Sequence, residues 1–175
     1  MSPRAWEVRA ETAAVLASLR GVWDEEAVDE WDHALQAAAC AVADHADDEL
    51  VLAAALHDIG HSPLLGGPGV HDHSGLARDW LTPRFGPRVG WLAGAHVAAK
   101  QHLAAVDRSY AAALTATSTV SLAEQGGPRL DPAFAAHPWC PDALRLRRYD
   151  DAAKDPDAEG AAPGYVLDLA LKLAR

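Results

Sequence analysis

The chain has 175 residues and a formal net charge of −10, and this acidic balance argues against a surface that binds nucleic acid. Hydrophobic residues make up 50% of the chain and aromatic residues only 6%. Alanine is abundant, and small, strong helix formers at this density predict an all-α protein. No apolar run reaches the roughly 18 residues that a membrane-spanning helix needs. The length suits one domain with a real core, and we find no internal repeat or boundary.

The sequence also carries a signal about the cellular compartment. Cys40 and Cys140 are too few for a disulfide framework, and the first residues lack the apolar core of a signal peptide. We therefore expect a cytoplasmic protein with reduced thiols. The pattern does not indicate an oligomeric state.

The spacing of apolar residues predicts eight helices, at about residues 6–19, 27–46, 49–58, 71–81, 88–106, 131–136, 141–154 and 165–173. Glycine and proline in residues 62–69 predict a loop over 59–72. The fifth helix is expected to bend near Gly94. A serine- and threonine-rich mixed segment occupies 110–122, and a loop occupies 155–163.

The central feature is the run at residues 56–61, Leu-His-Asp-Ile-Gly-His, which follows an apolar helix. Successive side chains on a helix diverge by about 100°, so His57 and Asp58 cannot share one face within it. At the end of the helix, however, both side chains can reach a centre beyond its tip. Imidazole and carboxylate suit first-row metals, and an aspartate can bridge two ions.

Further candidate ligands are spread over five of the predicted helices. Taken singly, each has an ordinary explanation: a core histidine, a helix cap or a surface ion pair. Together they form the pattern by which helical bundles build dinuclear sites, with donors projecting inward from several helices. Six donors are too many for one tetrahedral ion. The set is His33, His57, Asp58, His73, His96 and Asp150.

Five passages resemble the HD-domain superfamily, and specifically its mixed-valent diiron oxygenases, which cleave carbon–phosphorus bonds. They are residues 30–36, 56–61, 96–100, 118–127 and 146–154. The resemblance covers nearly the whole chain, and residues 147–154, Arg-Arg-Tyr-Asp-Asp-Ala-Ala-Lys, are its most specific part. It implies one HD domain over 1–175, a helical bundle with a dinuclear site in its core. It also implies two Fe ions, in the Fe(II)/Fe(III) state, and O2 as co-substrate.

Carried over by position, the resemblance implies a set of ligands for each of the two iron ions and one residue that bridges the ions. One iron would be held by His33, His57 and Asp150. The other would be held by His73 and His96, with Asp58 bridging the pair. His71 remains an alternative to His73.

The resemblance also implies a pocket for a small polar substrate. Two residues would be catalytic: His61 would contact the substrate or orient a metal ligand, and Lys100 would hold a phosphonate oxygen as a point charge. Ser118 and Ser121 would donate hydrogen bonds to the same group, and Arg147 would complete the anion pocket. The reaction would convert a 1-hydroxy(amino)alkylphosphonate and O2 to phosphate and a carboxylic acid.

The chain departs from this family between the first two helices, where a tyrosine and a glutamate form a lid. Glu26 matches the glutamate as a substrate-binding residue, whereas Trp23 stands at the tyrosine position and cannot ligate iron. Together with Trp31, the acidic Asp24, Glu25 and Glu26 suit a cationic amine on the substrate.

Two other interpretations remain open. A metal-dependent HD phosphohydrolase, acting on a nucleotide or a small phosphomonoester, needs only four of the donors. These are His33, His57, Asp58 and Asp150. A binding module that keeps the fold without catalysis has no use for all six donors.

Overall fold

The computed structural model describes residues 2–24 and 27–175. Within them the fold is all-α, as predicted, with eleven α-helices, one 3-10 helix (Ile59–His61) and no strand. None of the described helices combines the length and the apolar character that a bilayer crossing requires. The α-helices are α1 (Pro3–Ala17), α2 (Glu30–Ala43), α3 (Asp48–Leu56), α4 (His73–Phe85), α5 (Pro87–Gly94), α6 (His96–Val106), α7 (Arg108–Ala113), α8 (Ala116–Glu124), α9 (Pro132–Ala135), α10 (Cys140–Ala152) and α11 (Pro163–Leu173).

Helix α3 lies in the middle of the core, because every side chain from Leu50 to Leu56 is buried. A helix that is apolar on all sides must be surrounded, and α2, α5, α10 and α11 pack against it. Asp47 begins α3 by accepting a hydrogen bond from the Leu50 backbone N–H at 3.0 Å. The chain that leaves the end of α3 therefore emerges inside the bundle.

Several helix ends differ from the sequence prediction. Helix α2 begins at Glu30 rather than at residue 27, because Asp29 caps it through the Asp32 N–H at 2.9 Å. The predicted helix 71–81 continues through Pro83 to Phe85. Pro83 can be accommodated because this side of α4 is exposed, so the carbonyl that loses its partner can be hydrated, while Phe85 anchors the last turn in the core.

The bend predicted near Gly94 is a break between two helices. Helix α5 ends at Gly94, Ala95 intervenes, and α6 begins at His96. Glycine weakens a helix at this point. The mixed segment 110–122 resolves into α7 and α8, with a Thr115 cap at the start of α8. Helix α6 and helix α8 contact each other, since Nζ of Lys100 donates to the Ser121 hydroxyl at 2.8 Å.

Gly60 lets the end of α3 approach the start of α4. A Cβ placed on Gly60 would lie 2.2 Å from the backbone oxygen of His73 and 2.5 Å from its Cα. Only a residue without a Cβ permits this close approach. Gly60 thus brings the 3-10 helix, which carries His61, against the residue that begins α4.

Candidate metal centre

The six predicted donors come together in two groups that share Asp58. In the described part of the chain, ligand atoms within 4.8 Å of one another form one group from α2, the end of α3 and α10, and another from the end of α3, the start of α4 and the start of α6. The first group is His33, His57, Asp58 and Asp150. The second is Asp58, His73 and His96.

Asp58 faces both groups with different oxygen atoms. Its Oδ2 lies 3.1 Å from Nε2 of His57 and 3.4 Å from Nε2 of His33. Its Oδ1 lies 3.3 Å from Nε2 of His96 and 3.5 Å from Nε2 of His73. This is the arrangement of a carboxylate that can bridge two ions. His71 is exposed and belongs to neither group, so the structure favours His73 over His71 as a donor.

Three of the histidines have their ring protons fixed by backbone carbonyl groups. A carbonyl only accepts, so Nδ1 of His33, His57 and His96 carries a proton, and Nε2 is the ring nitrogen that faces the other donors. The acceptors are the carbonyls of Ala153, Ala54 and Ala93, at 2.8, 2.8 and 2.6 Å. Such outer contacts orient histidines that bind metal.

The Nε2 atoms then meet one another inside the protein. Those of His33 and His57 are 3.3 Å apart, and those of His73 and His96 are 3.0 Å apart. Lone pairs repel at these distances unless a proton or a cation lies between them. Oδ1 of Asp58 is buried and accepts no hydrogen bond, which is rare for a buried oxygen. The donor set therefore fits metal ions that accept imidazole and carboxylate ligands.

The pKa shifts of the buried donors show how these groups affect one another's charge. Burial opposes the charged form of His33, yet its hydrogen bond to Asp58 raises the pKa of His33 to about 9. Burial also opposes ionisation of Asp150, but Arg147 holds the pKa of Asp150 well below its usual range. Burial lowers the pKa of His96 to about 3, so this imidazole stays neutral, as metal binding requires.

Glu30 is a buried acid that the sequence interpretation left without a role. Only 1% of it is exposed, and its Oε2 accepts no hydrogen bond. Burial, reinforced by the Asp58 charge, raises the pKa of Glu30 to about 8. Its position three residues before His33 was the available signal, because residues at i and i+3 share a helix face.

A cavity of about 210 Å³ opens beside the two groups. Asp58, His73, His96 and Asp150 contribute to one part of its wall. Five of the six predicted substrate-binding residues line it as well: His61, Lys100, Ser118, Ser121 and Arg147. The sixth, Glu26, lies outside the described residues.

Two lysines contact the serines of the cavity wall. Lys100 donates from Nζ to the Ser121 hydroxyl at 2.8 Å, and Lys154 donates from Nζ to the Ser118 hydroxyl at 2.9 Å. Burial, together with the Arg147 charge, lowers the pKa of Lys100 to about 8. Lys154 was not predicted as part of the site, although it ends the most specific motif.

Arg147 lines the cavity and also contacts a candidate metal ligand. Its Nη1 donates to Oδ2 of Asp150 at 2.6 Å, and its Nε donates to the Tyr110 hydroxyl at 3.0 Å. Its Nη2 donates to Asp151. The sequence predicted only that Arg147 contacts the anionic group of the substrate. The structure adds its contacts with Asp150, Tyr110 and Asp151.

The residues around the expected lid are arranged differently from the prediction. Trp23 is 61% exposed. Trp31 lies under the guanidinium of Arg20, at 3.6 Å from the ring centroid, and does not line the cavity. The suggestion that Trp31 contacts a substrate amine is therefore wrong. Asp24 does line the cavity, with Oδ2 at 3.6 Å from Nε2 of His61.

An all-α bundle with a buried cluster of histidines and aspartates that could hold metal ions, beside a cavity with lysine, arginine and serine in its wall, indicates the class of metal-binding proteins. No family model matches the chain. It is 38% identical over 144 residues to hydroxymethylphosphonate dioxygenase of Gimesia maris, covering 74% of this chain and 70% of that protein. The chain belongs to the family of phosphonate dioxygenases.

Two further relatives extend the comparison. The chain is 28% identical over 169 residues to 1-hydroxy-2-(trimethylamino)ethylphosphonate dioxygenase (glycine-betaine-forming) of Leisingera caerulea, with 86% of this chain and 85% of that protein covered. It is 31% identical over 134 residues to an uncharacterised protein of Acanthamoeba polyphaga mimivirus, covering 70% of this chain and 61% of that protein. The protein is an oxygenase, which uses O2 and a metal. The comparisons thus favour the predicted oxygenase over the phosphohydrolase.

Proposed function

We propose that the protein is a diiron oxygenase of the HD-domain type, folded as a single domain. It uses O2 to cleave the C–P bond of a 1-hydroxy(amino)alkylphosphonate and releases phosphate and a carboxylic acid. One observation carries this proposal: two groups of metal ligands share a carboxylate and open onto a cavity with lysine, serine and arginine side chains in its wall.

The donors suit two iron ions. His33, His57 and Asp150 would hold one, His73 and His96 the other, and Asp58 would join them. All the donors are nitrogen or oxygen, with no thiolate, which suits iron in an oxygenase. When bound, the iron pair supplies the activation of O2 and the removal of a hydrogen from the substrate carbon.

The protein side chains bind the phosphonate and orient the substrate. Lys100 presents a point charge to a phosphonate oxygen, while Ser121 and Ser118 lie beside it with their hydroxyl groups held by lysines. Arg147 lines the same cavity. These residues fix the phosphorus end, so that the carbon bearing the hydroxyl group faces the donor groups.

His61 lies between the donors and the substrate space. Its ring stacks on His73 with centroids 4.4 Å apart, and its Nδ1 is buried without a hydrogen-bond partner. His61 lines the cavity, and its Nε2 lies 3.6 Å from Oδ2 of Asp24, which lines the cavity as well. We therefore assign His61 to holding the substrate's reacting end through Nε2.

The substrates in the names of two relatives differ in whether they carry an amine. One relative is named for hydroxymethylphosphonate, which has no amine, and another for a trimethylated amine. Asp24 places a carboxylate in the cavity wall near His61, and Glu26 follows it closely in sequence. These acids favour a cationic amine, so we expect 2-amino-1-hydroxyethylphosphonate to react with a lower KM than hydroxymethylphosphonate. Glu26→Ala should raise that KM if Glu26 takes part in recognition.

The proposal is tested by spectroscopy of iron-loaded protein together with product analysis. Protein loaded with iron without oxygen and then partly oxidised should give the EPR signal of a coupled Fe(II)/Fe(III) pair, with all g values below 2. Adding the phosphonate should change that signal, and admitting O2 should release inorganic phosphate. The same sample kept without O2 is the control and should release none.

Other outcomes would redirect the assignment. A coupled signal that ignores every phosphonate tested would keep the cofactor and reject the substrate. No coupled signal, together with hydrolysis of phosphomonoesters in manganese, would overturn the oxygenase and restore the phosphohydrolase.

A further inference from the structure

Arg147 is held on three sides by side chains from two helices. Its Nη1 bonds to Asp150, three residues ahead on α10, and its Nη2 bonds to Asp151, four residues ahead. Its Nε lies 3.0 Å from the Tyr110 hydroxyl oxygen and 3.2 Å from Oδ2 of Asp151. Tyr110 belongs to α7, so it alone of these partners holds Arg147 from outside its own helix.

The Tyr110 hydroxyl has two roles in this cluster. It accepts a hydrogen bond from Nε of Arg147 and donates one to Oδ2 of Asp151 at 2.7 Å. Burial raises the pKa of Tyr110, so the hydroxyl remains protonated and keeps donating. Removing this oxygen would remove both bonds at once while leaving the aromatic ring in place.

An external contact is needed because the helix alone does not settle the arginine geometry. Asp150 and Asp151 follow Arg147 by three and four residues, and a long arginine side chain can pair with either in more than one rotamer. Tyr110 holds Nε from outside the helix, and because the guanidinium is planar this contact restricts the positions that its terminal nitrogens can take. It therefore narrows the range of directions in which Nη1 can meet Asp150.

A count of donors shows that Arg147 still has capacity for an anion. A guanidinium has five N–H groups, and its contacts with Tyr110, Asp150 and Asp151 use three nitrogen positions. Two N–H groups remain, and Arg147 lines the cavity beside the donor groups. The same side chain can therefore orient the carboxylate of Asp150 and contact a phosphonate oxygen.

We infer that Tyr110, with Asp151, is a positioning pair that acts through Arg147 on the first metal group and on the anion pocket. Tyr110 belongs to neither group of candidate metal ligands and does not line the cavity. The part of this inference that concerns the anion rests on the proposed function, whereas the part that concerns the metal does not. The expected effect is selective: loss of the Tyr110 hydroxyl should weaken metal binding only at the group that contains Asp150.

The test is Tyr110→Phe, compared with Tyr149→Phe as a matched control. Tyr149 is also a buried tyrosine whose hydroxyl donates to an aspartate, in this case Asp44, but it takes no part in the Arg147 cluster. Metal-free protein is titrated with Co(II) by calorimetry, and the two binding events are resolved. Unfolding temperatures are measured on the same samples.

Tyr110→Phe should weaken one of the two Co(II) binding events by about tenfold and leave the other unchanged, since it costs two hydrogen bonds to charged partners. Inorganic phosphate should bind the Co(II)-loaded variant about tenfold more weakly. Tyr149→Phe should lower the unfolding temperature without changing either Co(II) affinity. If Tyr110→Phe does not fold, Asp151→Asn serves in its place with the same expected results.

Wild-type affinity for both Co(II) ions in Tyr110→Phe would overturn the inference. So would an equal loss in both events that parallels the fall in unfolding temperature. If the wild-type protein proves inactive on phosphonates but the selective Co(II) loss is seen, the proposed function fails and the positioning role stands.

Discussion

Replacing Asp58 by asparagine should break the link between the two groups of donors. Each Asp58 oxygen faces a different group, with Oδ2 3.1 Å from His57 and Oδ1 3.3 Å from His96. Asparagine has the same shape but only one oxygen, and its NH2 would present hydrogens to one group. That group loses an anionic ligand and gains a repulsive contact, while the other keeps a weaker, neutral one.

The expected effect on stability follows from binding linkage. An ion present at about 1,000 times its Kd stabilises the folded protein by about 4 kcal/mol. In a protein of this size, about 1 kcal/mol corresponds to roughly 2–4 °C in Tm. Each ion should therefore raise the wild-type Tm by about 8–16 °C. If the substitution weakens an ion about 100-fold, its contribution at the same concentration falls to about 1.4 kcal/mol.

The assay is calorimetric unfolding of metal-free protein with and without Co(II), together with elemental analysis of bound metal. With free Co(II) at about ten times the wild-type Kd, wild type should hold nearly two ions per chain and Asp58→Asn little more than one. Asp131→Asn is the control, because Asp131 only caps α9 and asparagine caps a helix as well as aspartate. Two ions bound to Asp58→Asn with the wild-type gain in Tm would refute the bridging role.

Two further predictions concern the cavity and the turn. Lys100 has a pKa of about 8, lowered by burial, so it is charged below that pH and loses its charge above it. The KM for the phosphonate should therefore rise as pH increases through about 8, measured as a pH profile of kcat/KM. Gly60→Ala would place a methyl group against the His73 backbone. It should destabilise the protein by roughly 2–4 kcal/mol and weaken Co(II) binding to the second group, measured by calorimetry.

Both predictions have matched controls within the chain. Lys100→Arg keeps a charge at all working pH values, so its kcat/KM should lack the alkaline decline. A decline that persists in Lys100→Arg would assign it to another group. Gly164→Ala adds a methyl group that meets nothing within 4 Å in α11, so it should be neutral or slightly stabilising. If Gly60→Ala is equally harmless, the close approach to His73 is not required.

The sequence predicted the fold class and the central helix because local patterns determine both. The uninterrupted apolar run from Leu50 to Leu56 predicted a buried helix because the chain is rich in alanine and other strong helix formers, and this part of α3 is buried throughout. Helix ends were less well predicted. Pro83 predicted the end of a helix, but α4 continues through it to the buried Phe85. Gly94 predicted a bend within one helix, whereas the chain there divides into two helices.

The donors of the site were predictable because each is a histidine or an aspartate, a common metal ligand, and lies on or at the end of a predicted helix. No role at the site was predicted for Tyr110, Glu30 or Lys154, and in the case of Tyr110 the reason is physical. Tyr110 precedes Arg147 by 37 residues and lies on another helix, so no periodicity connects the two. Their contact exists only after α7 packs near α10, and helical packing of this kind is a tertiary result that spacing does not encode.

The contacts of Arg147 also decide how an acidic protein can hold a dianion. Arg147 is matched by Asp150 and Asp151, so this cluster brings no net positive charge to the cavity. Lys100 is weakened as a cation by its own burial. Under the proposed function, metal ions held by the donor groups would therefore supply much of the positive charge that attracts a phosphonate, because bound cations are the largest local charges in such sites. Metal loading and anion binding would then be coupled, and Asp58, which faces both groups of donors, would lie at the centre of that coupling.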